Sequence, residues 1–220
     1  MKEQIIKRIL DEKIVVIVRG VARENLPLLF EAMYKGGIRF AEITFDPKEN
    51  IPDGLVLSEI SSLRSEFDGR MHIGAGTVLS ARQAKDAISA GAEYIVSPCI
   101  LPDVIDFCAE NDTACIPGAM TPTEIVSAVK MGADIVKLFP CDFLGLNYIK
   151  TITEPLCNIP MLAVGRVDIT NVAEYLKLLS GVAVGSAVIR RDLIAKGDFE
   201  GITENARLFC DIAKSSAQKL

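Results

Sequence analysis

Eight short runs of aliphatic and β-branched residues recur along the chain, each separated from the next by a stretch long enough for a helix. They lie at 14–18, 40–44, 71–75, 94–97, 114–117, 135–138, 161–164 and 182–185, about 20 to 30 residues apart. Most show no alternation of polar and apolar residues, so both faces of each run must be covered. That is the pattern of a parallel sheet with helices packed on it. The intervening segments, such as 23–35, 81–90 and 121–131, have helical length, and several stop at glycine before the next run: Gly36-Gly37, Gly91 and Gly132. Eight strand-then-helix units, preceded by an amphipathic helix near 2–12, predict one (β/α)8 barrel domain over 1–220. The alternative, an open doubly wound sheet, lacks its usual phosphate loop, because the first run leads into Arg19-Gly20-Val21-Ala22-Arg23 and not into G-x-G-x-x-G.

Half of the residues are hydrophobic, yet the longest uncharged stretch, 178–189, has only 12 residues. A membrane span needs about 20, so the apolar half is expected in a core. The charged start, 1–13, does not read as an export signal. The six cysteines, Cys99, Cys108, Cys115, Cys141, Cys157 and Cys210, contain no C-x-x-C pair. They are expected to be reduced thiols in a cytoplasmic protein. A net charge of -5 argues against nucleic acid and anionic membranes as partners. The single histidine, His72, excludes a His-rich metal site and disfavours a Ser-His-Asp triad.

Two charges interrupt the apolar strands. Glu42 lies within Phe40-Ala41-Glu42-Ile43-Thr44, and Lys137 within Ile135-Val136-Lys137-Leu138-Phe139. Side chains alternate along a strand, so Glu42 shares a face with Phe40 and Thr44, and Lys137 with Ile135 and Phe139. Both sit near the C-terminal ends of their strands, where barrels carry active sites. Burial disfavours an ammonium, so such a lysine is poised to attack a ketone as the neutral amine and form a Schiff base. A nearby carboxyl can then move protons at the adjacent carbon. The competing interpretation is a buried ion pair without catalytic role.

Further features gather at the same strand ends. Gly74-Ala75-Gly76-Thr77 follows the third strand and suits either a tight turn or close approach of a ligand. Ser97-Pro98 and Pro117-Gly118 end strands four and five, as punctuation or as pocket wall. Gly165-Arg166 and Gly185-Ser186 end strands seven and eight, where barrels often bind phosphate. Arg19, ending strand one, is either a surface residue or a contact for an anionic substrate.

Together these pieces resemble the 2-keto-3-deoxy-6-phosphogluconate and 4-hydroxy-2-oxoglutarate aldolases. The matching segments run in order from Val16-Ile17-Val18-Arg19, Gly36-Gly37-Ile38-Arg39 and Glu42-Ile43-Thr44, through Gly74-Ala75-Gly76-Thr77-Val78 and Ser97-Pro98. They continue with Ile116-Pro117-Gly118, Thr121-Pro122-Thr123-Glu124, Lys137-Leu138-Phe139-Pro140 and Val184-Gly185-Ser186. The resemblance implies a class I aldolase, a lyase that splits a keto acid into pyruvate and an aldehyde. It also implies a homotrimer, with no metal and no cofactor beyond the lysine. By position, Lys137 matches the Schiff-base lysine and Glu42 the general acid-base. Thr77 matches a pyruvate contact, Pro98 and Phe139 the pocket wall, and Gly165 and Ser186 the phosphate side. Two positions depart from the family. Asp46 stands where an arginine usually holds the substrate carboxylate, and is expected to repel it. Arg166 replaces a glycine on the phosphate side, and Arg19 or Arg166 is expected to take over part of the anion binding. A non-aldolase phosphate-binding barrel (isomerase or decarboxylase) and a metabolite-binding barrel without activity are the alternative functions.

Overall fold

The computed structural model describes residues 2–48 and 50–217; residues 1, 49 and 218–220 of the expected domain lie outside the described residues. Its parallel strands are β1 (Ile14–Val18), β2 (Phe40–Thr44), β3 (His72–Gly76), β4 (Tyr94–Val96), β5 (Ala114–Ile116), β6 (Gly118–Ala119), β7 (Val136–Leu138), β8 (Met161–Val164) and β9 (Gly181–Val184). All nine form one sheet in the order β5-β4-β3-β2-β1-β9-β8-β7-β6. Its two ends, β5 and β6, are consecutive in sequence and separated only by Pro117. Nine segments therefore arise from eight strands, the fifth broken where proline lacks the N–H that would continue a ladder. The Pro117 carbonyl still accepts a hydrogen bond from the Lys137 N–H at 2.9 Å. The ring thus closes on itself as the (β/α)8 barrel expected from the strand pattern.

The main helices are α1 (Lys2–Glu12), α2 (Leu26–Lys35), α3 (Asp53–Glu66), α4 (Ala81–Ser89), α5 (Pro102–Glu110), α6 (Pro122–Met131), α7 (Cys141–Thr153), α8 (Val172–Leu178), α9 (Arg191–Lys196) and α10 (Phe199–Ala217). Local chemistry sets several of their ends. Thr121 and Glu124 form a reciprocal capping box at the start of α6, Pro122 occupies its first turn, and Gly132 ends it in the left-handed conformation. The Thr-Pro-Thr-Glu segment thus starts a helix, a structural role.

Strand alternation divides the core in two. Outward residues such as Ala41, Ile43, Ala75 and Val136 pack against the surrounding helices. Inward residues, including Val15, Phe40, Tyr94, Ile116, Leu162 and Ala183, fill the barrel together with Ile5 and Ile9 of α1. The N-terminal helix therefore closes the bottom of the barrel with apolar side chains. The lone histidine belongs to this lower region: His72 stacks on Phe40 with ring centroids 4.7 Å apart, and its Nδ1 lies 3.0 Å from the Glu93 carboxylate. Plugged below, the barrel opens above, where the strands end.

Candidate active site

Glu42 and Lys137 both point into the barrel from rungs above the apolar plug. Each is nearly inaccessible to solvent, at 2% and 7% exposure. Burial is also the main influence on their protonation. It pushes the Glu42 carboxyl from 4.5 up to about 7, against the pull of the positive charges of Lys137 and Arg19. It pushes the Lys137 ammonium down, against the attraction of Glu42 and with the repulsion of Arg19. A carboxyl near neutrality beside a lysine displaced toward its free amine is the combination that proton transfer and amine attack require. The Lys137 Nζ lies 4.8 Å from the centroid of the Phe139 ring, which extends from the same strand face.

The glycines after β3 serve this pair directly. Gly74 and Gly76 are the register partners of Glu42 and Thr44 on β2. A Cβ on Gly76 would run into the Glu42 carboxyl, and a Cβ on Gly74 into the Tyr94 ring. The Gly-Ala-Gly segment is therefore a space cleared for two interior side chains, in addition to being the end of a strand. Thr77, which follows, is 8% exposed and has a φ of 58°. That conformation costs a β-branched residue roughly 1–3 kcal/mol, and Arg19 helps to hold it. The Arg19 Nη2 donates to Thr77 Oγ1 at 2.6 Å, while its Nε donates to Thr44 Oγ1 at 3.3 Å. Arg19 is thereby braced across the ends of three adjacent strands.

A cavity of about 510 Å³ opens above these groups. Lys137, Glu42, Arg19, Thr77, Pro98, Phe139, Gly165 and Ser186, the residues singled out from sequence, all line it. Gly165 has a φ of 124°, and a Cβ there would lie 2.7 Å from the Asp142 carboxylate. Arg166, also at the rim, reaches Asp142 at 3.4 Å and is largely in solvent. Asp46 is not among the lining residues. Its carboxylate turns back on its own loop, accepting from the Lys48 and Asn50 N–H groups at 3.0 Å each. These bonds, that from Lys48 first, lower its pKa. The expected repulsion of a substrate carboxylate thus has no support in the position of this side chain, which holds a turn.

The sequence did not single out Arg191, which also lines the cavity. Its neighbour Arg190 is held by the Asp192 carboxylate through two bonds of 2.8 Å. The only signal was a pair of arginines shortly after the Gly185-Ser186 strand end, and only the start of α9 decides which of them turns inward. Among the described residues, no group of three or more His, Cys, Asp or Glu side chains is placed to hold a metal ion. Among the same residues, no helix is long and apolar enough to cross a membrane.

A desolvated lysine and a carboxyl at the open end of a barrel are groups that covalent carbonyl chemistry can use. The family model for KDPG and KHG aldolases matches residues 5–205. The chain is 32% identical over 194 residues to a 2-dehydro-3-deoxy-phosphogluconate aldolase of Treponema pallidum, covering 87% of this chain and 89% of that one. It is 30% identical over 214 residues to the Haemophilus influenzae protein of the same name, covering 96% and 98%. Among solved structures, one described as native KDPGal superposes with a TM-score of 0.82 at 28% identity, covering 93% of this chain and 96% of that one. A KDPG aldolase from Legionella pneumophila, with pyruvate captured as a covalent carbinolamine, superposes with a TM-score of 0.79 at 25% identity, covering 89% and 93%. This chain belongs to the KDPG and KHG aldolase family and is a lyase.

Proposed function

We propose that the protein is a class I aldolase that cleaves a 2-keto-3-deoxy sugar acid, phosphorylated at C6 or not, or 4-hydroxy-2-oxoglutarate, to pyruvate and an aldehyde. One observation carries the reading: a lysine and a carboxyl share a buried site, and burial displaces both toward their neutral forms. The neutral Lys137 amine attacks the C2 ketone, and loss of water from the carbinolamine gives an iminium. Glu42, as carboxylate, takes the proton of the C4 hydroxyl. The C3–C4 bond breaks, the aldehyde leaves, and the bonding electrons pass to the iminium as an enamine. Glu42 returns its proton to C3, and water releases pyruvate and the free lysine. The covalent carbinolamine in the Legionella pneumophila relative supports the first step by similarity.

The binding roles follow the positions around the cavity. Arg19, braced on Thr44 and Thr77, takes the keto acid's carboxylate, a role for which Asp46 is unsuited. Thr77 contacts the pyruvyl part, while Pro98 and Phe139 form the wall. The Gly165 and Ser186 ends, with Arg166 beside them, receive the distal part of the substrate. The reaction needs no cofactor beyond the lysine. A homotrimer in the cytoplasm accompanies this reading, and sedimentation equilibrium of the purified protein checks the trimer.

Trapping with pyruvate and borohydride tests the mechanism. Peptide mass spectrometry is expected to find the reduced adduct on Lys137, and no adduct on Lys137→Ala. Folded wild-type protein that gains no mass at Lys137 would exclude the mechanism. A screen of phosphorylated and unphosphorylated keto-deoxy acids, with lactate dehydrogenase reporting pyruvate, identifies the substrate.

A further inference from the structure

Tyr94 is the bulkiest fully buried side chain of the described residues. Its hydroxyl and that of Ser97 are the buried side-chain polar atoms left without a hydrogen-bond partner among those residues. Burying a phenol without a partner carries the full desolvation cost of its hydroxyl, which phenylalanine would avoid. A phenol at an inward position in a largely apolar plug therefore calls for a reason.

The location of the ring supplies one. Tyr94 packs against Phe40 with centroids 5.9 Å apart. Its Cζ, the carbon bearing the hydroxyl, occupies the space that a Cβ on Gly74 would take. Gly74 is the direct register partner of Glu42. The Glu42 side chain rises from that rung to set its carboxyl against Gly76, the next inward position of β3, so phenol and carboxyl occupy successive inward positions along the same strand face. No hydrogen bond joins the Tyr94 hydroxyl to the carboxylate directly, so a link between these two polar groups has to pass through a water. The other charges facing Glu42 are Lys137 from β7 and Arg19 from the end of β1. His72 points inward from β3 two residues before Gly74 and is engaged by Glu93. The negative charge of Glu42 adds to burial in raising the phenol's pKa, so Tyr94 faces the carboxylate as a donor at any working pH.

We propose that Tyr94 is a positioning residue for Glu42: its hydroxyl donates through one enclosed water to the carboxylate and fixes that oxygen on the floor of the cavity. The assignment rests on the reading of Glu42 as the proton carrier. It also accounts for the empty Gly74, whose lack of a side chain admits the phenol beneath the reacting groups.

Tyr94→Phe keeps the ring and removes only the donor. Losing a donor to the anion favours protonated Glu42. The acidic limb of the kcat/KM profile is therefore expected to move up by about half a pH unit or more, with kcat roughly tenfold lower. Removing a hydroxyl that has no partner would instead leave limb and rate unchanged and give a protein at least as stable as wild type. That result overturns the proposal, as does a lower Tm with an unmoved limb, which marks a packing role alone. A high-resolution crystal structure of the wild-type protein supplies a test independent of any variant. One ordered water bonded to both Tyr94 Oη and the Glu42 carboxylate is expected, and a gap without density overturns the idea. Glu42→Gln is measured alongside. If it retains turnover, the reading of Glu42 fails and the assignment falls with it. If it is inactive while Tyr94→Phe behaves as wild type, only the role of Tyr94 is lost.

Discussion

Glu42 keeps its carboxyl inside the barrel because Gly76, on the adjacent strand, has no side chain: a Cβ at Gly76 would overlap the Glu42 Oε1 and lie 2.6 Å from its Cδ. The obstructed atoms are the far end of a flexible side chain, so Gly76→Ala is expected to fold and to displace the carboxyl. Turnover should fall by about two orders of magnitude or more, the scale of a lost general acid-base, while Tm changes little. Steady-state kinetics and thermal melting of the same preparation separate the two effects.

Burial of Glu42 makes stability depend on pH in a definite direction. Its folded pKa, about 7, lies above the ordinary 4.5. Between those values the folded state binds the extra proton, so stability falls as pH rises through this window. The shift corresponds to roughly 3 kcal/mol lost at pH 8 relative to pH 4. Glu42→Gln cannot ionise. It is expected to be more stable than wild type at pH 8 by up to that amount, and similar to it near pH 4. Urea unfolding at both pH values provides the check.

Asp46 belongs to a turn, and its charge is engaged by the Lys48 and Asn50 N–H groups. Asp46→Asn is therefore expected to leave KM for the keto acid within about twofold, as no substrate contact is removed. A several-fold fall in KM would show that the carboxylate does repel the substrate. Arg19→Gln should act in the opposite way, raising KM strongly, because it removes the cation braced on Thr44 and Thr77.

The bottom plug is structural. Ile9 of α1 is completely buried against the barrel interior. Ile9→Ala is expected to cost about 2–4 kcal/mol and to lower Tm by about 5–12 °C. Calorimetry measures both, and turnover at room temperature should persist because Ile9 sits at the bottom of the plug, below the rungs that carry Glu42 and Lys137.

Much of this architecture can be read from one dimension. Strands apolar on both faces require cover on both faces, and eight of them alternating with helices leave a closed barrel as the simplest solution. Glu42 and Lys137 stand out in sequence for the same reason, since an ionisable group in such a strand needs a purpose. Resemblance to known aldolases assigned expected roles to Thr77, Pro98, Phe139, Gly165 and Ser186, and all of them line one cavity.

Other facts depend on side-chain direction across strands far apart in the chain, which no local pattern encodes. The break of the fifth strand at Pro117 does not open the barrel, because the Pro117 carbonyl finds the Lys137 N–H. Gly74 and Gly76 look like a ligand turn, and only the register with β2 shows that they make room for Tyr94 and Glu42. Asp46 reads as a lost anion contact until its carboxylate is seen bonded to its own loop. Of two adjacent arginines, Asp192 holds Arg190, and Arg191 is left to face the cavity. The sequence by itself determined the barrel and its two buried charges, because hydrophobic periodicity is a local property. Which groups meet above the plug was decided only by the tertiary structure, because register and side-chain direction are set by packing between segments distant in sequence.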